Sequence, residues 1–80
     1  MIPPPAGFHD VRDMQCAQAL AQASMARKRL APGAVLELLC NADDVTRDLL
    51  VWVKELGDLV VKTHTQTDGT RLWIRKRHEP

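Results

Sequence analysis

The feature that most constrains this fold is its punctuation. Pro3-Pro4-Pro5, Pro32-Gly33, Gly57 and Asp68-Gly69 cut the chain into runs, each long enough for only one or two regular elements. Proline fixes φ and lacks a donor, so Pro3 to Pro5 reads as an extended lead-in. Pro-Gly stops a helix, a lone glycine after an apolar helical stripe is a C-cap, and Asp-Gly between β-rich runs signals a hairpin.

The runs between the breaks have distinct periods. Phe8 to Val11 is a short strand candidate. Ala17 to Leu30 has no Gly or Pro and is rich in Ala, Leu, Gln, Arg and Lys, which predicts a helix. Its apolar stripe is read as Leu20, Ala23, Ala26 or Arg27, and Leu30, with Arg27 to Arg29 in the last turns where cations suit the dipole. Ala34 to Cys40 is a short apolar run and reads as a strand. Asn41-Ala42-Asp43-Asp44 offers N-caps for a second helix. There Val45, Leu49, Trp52, Val53 and Leu56 share one face, and Gly57 is the C-cap. Leu59 to Thr67 is β-branched, and Thr70 to Arg77 alternates. Leu72, Ile74 and Lys76 lie on one side of it, Arg71, Trp73, Arg75 and Arg77 on the other.

The order is therefore β-α-β-α-β-β. It predicts an α/β (α+β) two-layer sandwich, with a four-stranded mixed sheet and both helices packed on one face. Residues 1–7 are read as the lead-in, 8–77 as a single domain and 78–80 as a tail.

Composition narrows the class. Two cysteines in 80 residues make no disulfide framework. No apolar run reaches the ~18 residues of a membrane span, and no signal peptide is evident. The expectation is a soluble, cytoplasmic protein with reduced thiols and no membrane partner. Net charge is +1, with no Tyr and one Phe. That leaves little from which to build a base-stacking platform, and direct nucleic-acid binding through Arg27 to Arg29 and Arg71 to Arg77 is the least favoured reading. His9, His64 and His78 have no metal-type spacing with the cysteines, so neither a metal nor a cofactor is expected.

Chemistry concentrates at Cys16, which closes the polar run Asp10-Val11-Arg12-Asp13-Met14-Gln15 just before the first helix. Free backbone N–H groups and the positive end of the dipole meet there, and such a position lowers a thiol's pKa. Arg12 and Gln15 are candidates for local support. Cys40, at the end of a core strand, is either a buried packing residue or a resolving thiol for Cys16. Arg27, Lys28, Arg75 and Lys76 are candidates for docking an acidic partner surface. Trp52 reads as a packing residue, while Trp73 is a partner anchor if it lies on the outer sheet face.

Over Phe8 to Lys76 this pattern resembles the TusA/SirA family of sulfur-carrier proteins. That family opens with a short strand and an Asp-x-Arg-Gly-Leu-x-Cys-Pro-x-Pro segment leading into its first helix. Here Asp10-Val11-Arg12-Asp13-Met14-Gln15-Cys16-Ala17-Gln18-Ala19 stands in that place. Pro32-Gly33, Asp43-Asp44, Asp48-Leu49-Leu50-Val51-Trp52, Gly57 and Ile74-Arg75-Lys76 match further landmarks. Ala17 and Ala19 replace the family prolines, Met14 the leucine and Asp13 the glycine. If near in space, Asp13 would oppose thiolate formation.

The resemblance implies that Cys16 accepts a persulfide sulfur from a donor such as a cysteine desulfurase. It would pass that sulfur to an acceptor protein, toward tRNA thiolation, cofactor synthesis or sulfur oxidation. The alternative is a non-catalytic family member serving as a regulatory or interaction module.

Overall fold

The computed structural model describes residues 4–78. The outer parts of the expected lead-in and tail, residues 1–3 and 79–80, lie outside the described residues. The elements run β1 (Gly7–Asp10), α1 (Cys16–Lys28), β2 (Val35–Cys40), α2 (Asp43–Leu56), β3 (Leu59–Gln66) and β4 (Gly69–Arg75). The sheet order is β1-β2-β4-β3. β1 runs parallel to β2, and β4 is antiparallel to both β2 and β3, so the sheet is mixed. This is the expected α+β sandwich.

Topology explains why both helices share a face. β2 and β3 each run antiparallel to β4 and are therefore parallel to each other. The crossovers β1-α1-β2 and β2-α2-β3 both step across the sheet in the same direction. Right-handed connections then put α1 and α2 on the same side. The core follows: Ala19 and Ala23 of α1 and Val45, Leu49 and Val53 of α2 cluster with Leu36, Leu38, Cys40, Leu72 and Ile74 of the sheet. The alternation read in β4 holds, with Leu72 and Ile74 buried beneath the helices.

Several local readings are corrected. α1 begins at Cys16 itself, and its buried residues are Ala19 and Ala23. Leu20, Ala26 and Leu30 pack at the margin of the core. Alanine at the contact lets the α1 backbone approach the sheet closely, and the larger residues fill the flanks. The N-cap of α2 is Ala42, without a side-chain cap bond. Asn41 is instead turned onto Asp13. The residues linking β3 and β4 are Thr67 and Asp68, while Gly69 already pairs with Gln66. Gly69 sits at φ +143°, and a Cβ there would collide with the backbone carbonyl oxygen of Cys40. Close approach to β2, not the turn alone, requires this glycine.

Gly57 behaves as read. It takes φ +79°, its N–H donates to Lys54 O at 3.1 Å and the Asp58 N–H donates to Val53 O at 3.1 Å. These bonds form a Schellman motif that closes α2.

Asp58 then joins three parts of the fold. Its buried carboxylate accepts from Arg27 Nη2 at 2.8 Å and from the Arg77 N–H at 3.0 Å. Burial works to raise its pKa, but the Arg27 and Arg77 bonds outweigh it and hold the carboxyl below its usual value. Beside it, Lys76 Nζ donates to Leu30 O at 2.8 Å and Arg27 O at 3.3 Å. A cation thus meets the negative end of α1.

Candidate functional site

The loop that delivers Cys16 has an unusual backbone. Asp13 adopts φ +64°, the only non-glycine residue among those described with positive φ. Asp tolerates the left-handed region better than most side chains. Here the conformation is held from across the fold. The Asp13 N–H donates to Asn41 Oδ1 and Asn41 Nδ2 donates to Asp13 Oδ1, both at 2.9 Å. The left-handed turn therefore sits where the resembling motif carries glycine.

Gln15 is the N-cap residue of α1, in extended conformation and without a side-chain cap bond. Its carbonyl accepts the first helical bond, from Ala19 N at 2.9 Å. Cys16 follows as the first helical residue, partly exposed and not in a disulfide.

The electrostatics differ from the expectation. The Cys16 S–H points at Asp44 Oδ2, 3.6 Å away, and the thiol pKa is pushed up to about 11. The causes are first the neighbouring Asp48 carboxylate, then loss of solvent, then the negative charges of Asp44 and Asp48 together. The helix start alone would have lowered it. Two carboxylates from the facing helix override that effect, because a nearby negative charge disfavours a thiolate. Asp13 is not among the causes. The opposing charge comes from α2, from Asp44, which the sequence offers as a helix-start residue, and Asp48, which it marks as part of a family landmark.

A signal for them existed. Val45, Leu49 and Val53 are the buried stripe of α2, so Asp44 and Asp48, each one residue earlier, occupy one flank of it. Asp43, Arg47, Leu50, Val51 and Lys54 of α2 border an open groove of about 630 Å³ against Thr63, Thr65, Thr70 and Leu72 of β3 and β4. Which flank turns toward α1 is decided by how both helices pack on the sheet, which brings Cys16 to Asp44 across 28 residues of sequence.

The other candidates fall in different places. Arg12 grips Asp10, with Nη2–Oδ2 at 2.8 Å and Nε–Oδ1 at 3.1 Å. Asp10 is thereby lowered to about 2. Arg12 also comes within 4.0 Å of Asp68, which lies 3.7 Å from Arg71, itself bonded to Glu37 at 2.8 Å. This charge chain runs toward the β3–β4 turn. Arg27 and Lys76 are engaged within the fold as described above. Lys28 is exposed and Arg75 is half-buried.

Cys40 is fully buried, 3.1 Å from Thr46 Oγ1 and 3.5 Å from Thr70 O, and burial pushes its thiol up. Those surroundings are those of a packing residue. Trp73 lies on the sheet face away from the helices, with Lys62 Nζ 5.0 Å from its ring centroid. Among the described residues no group of three or more His, Cys, Asp or Glu is arranged to hold a metal ion. No helix among them is long and apolar enough to cross a membrane.

A two-layer α+β sandwich that presents a partly exposed thiol at the start of its first helix defines a class of small thiol-bearing proteins. The family model described as sulfurtransferase TusA matches residues 8–76, and the chain belongs to that family. No curated protein matches it.

Proposed function

We propose that this protein is a cytoplasmic sulfur carrier, with residues 8–77 acting as one domain and Cys16 as the persulfide site. The observation that carries this reading is the position of Cys16: the first residue of α1, partly exposed, within the segment matched by the family. In the transfer, the Cys16 thiolate attacks the terminal sulfur of a donor persulfide. The donor's S–S bond breaks, the donor cysteine leaves as a thiolate, and Cys16 becomes S–SH with no net oxidation. A second thiolate, on an acceptor protein, takes the terminal sulfur by the same step and restores Cys16. The partners implied are a cysteine desulfurase or comparable donor and an acceptor thiol protein.

The test is mass spectrometry after incubation with a desulfurase and free cysteine. A gain of about 32 Da, one sulfur bound to the reactive thiolate, is expected in the wild type and lost in Cys16→Ser. Absence of the adduct in the wild type would sink the proposal. A second reading, a family member that acts as an interaction module without sulfur chemistry, draws on the thiol's bond to Asp44 and its raised pKa. It predicts no adduct with any donor.

A further inference from the structure

We propose that Asp44 and Asp48 act as a carboxylate brake on Cys16, keeping it a thiol until positive charge is brought to the pair. The inference rests on the sulfur-carrier reading and adds a level of control to it. Asp44 and Asp48 are one helical turn apart on the flank of α2 that faces the start of α1. Asp44 Oδ2 accepts the Cys16 S–H. Ionising Cys16 would release that proton to water and leave a thiolate beside two carboxylates, a like-charge arrangement that opposes the step.

Asp44 and Asp48 are the charged groups that act on the thiol. The first turn of α1 carries no acidic side chain. In the preceding loop, Asp13 is turned onto Asn41 and Arg12 onto Asp10. Asp43 and Arg47 line the groove, and Arg47, three residues after Asp44, is the basic side chain nearest to the pair along α2. Asp44 and Asp48 thus act as positioning residues: Asp44 accepts from the thiol and Asp48 adds its charge, and neither touches a substrate. A partner that places a Lys or Arg against them would restore the advantage of the helix start at the moment of docking. Free Cys16 would meanwhile resist stray electrophiles.

The experiment is the pH dependence of Cys16 alkylation by iodoacetamide in the full chain, read on the Cys16 peptide by mass spectrometry so that Cys40 does not contribute. The wild-type midpoint is expected near 11. Asp44→Asn and Asp48→Asn should each lower it and the double variant should lower it most, with the part owed to lost solvent keeping it above the ordinary 9.0. Below both midpoints, each pH unit by which the midpoint falls raises the thiolate fraction about 10-fold. Asp43→Asn makes the same charge change along the groove and should leave the rate unchanged.

Identical midpoints in the wild type and both single variants would overturn the brake, as would an equal effect of Asp43→Asn. Circular dichroism confirms the fold of each variant. The single variants keep the test decisive if the double variant does not fold. The outcome is separable from the sulfur-carrier reading. Faster alkylation without any sulfur adduct keeps the brake and ends the carrier. A sulfur adduct with unchanged alkylation does the reverse.

Discussion

Arg27 and Asp58 set a large single-residue sensitivity. The Asp58 side chain is 0% exposed and that of Arg27 is 14% exposed. Truncating Arg27 removes the guanidinium and strands a buried carboxylate. Arg27→Ala is expected to cost about 3–5 kcal/mol, measured by urea denaturation. Asn41→Ala acts on a different principle. It deletes two hydrogen bonds that hold Asp13 in a left-handed conformation, for an expected loss of about 1–2 kcal/mol. At Asp13 itself, glycine removes the conformational strain but also one of those bonds. A β-branched residue has neither compensation, and Asp13→Val should be the worse variant in the same assay. Asp13 was legible as a departure from a glycine position. Its partner Asn41 was not, because a bond spanning 28 residues leaves no local trace.

At the scale of the elements, two glycines separate two kinds of requirement. Gly57→Ala keeps the Schellman geometry available at the cost of a left-handed alanine, about 1 kcal/mol. Gly69→Ala adds a collision with the Cys40 carbonyl and should destabilise more, lowering the thermal midpoint further than Gly57→Ala does. Sequence reading found α2 well because its stripe at Val45, Leu49 and Val53 has the helical period and ends in a left-handed glycine. On α1 it placed Ala23 in the stripe and missed Ala19, because alanines on several faces blur the period. It assigned Gly69 to the turn because the reason for that glycine lies on β2, a neighbour that sequence proximity does not reveal.

For the whole molecule, acid is the informative perturbant. Asp10 and Asp58 both have folded pKa values below the ordinary 3.8, Asp10 at about 2. A depressed carboxyl pKa contributes stability that is present above the unfolded value and lost as pH falls through the folded one. The denaturation midpoint should therefore hold steady down to about pH 4 and fall between there and pH 2. Arg12→Gln should reduce the part owed to Asp10. A midpoint unchanged to pH 2 would contradict both assignments.

The same view shows how much of the site the sequence carried. Cys16 and its helix start could be read from adjacent residues. The sign of its pKa shift could not, since it depends on two helices meeting side by side.

The place of β4 between β2 and β3 has a consequence for how the chain is made. A ribosome emits β1, α1, β2, α2 and β3 before β4, yet β3 has no pairing partner until β4 arrives. Lys76, which closes α1, and Arg77, which binds Asp58, come later still. Until β4 is present, the β-branched residues of β3 have no ladder to join. A release that stops short of residue 72 leaves a fragment without a central strand, a substrate for chaperones and proteases rather than a smaller version of the fold.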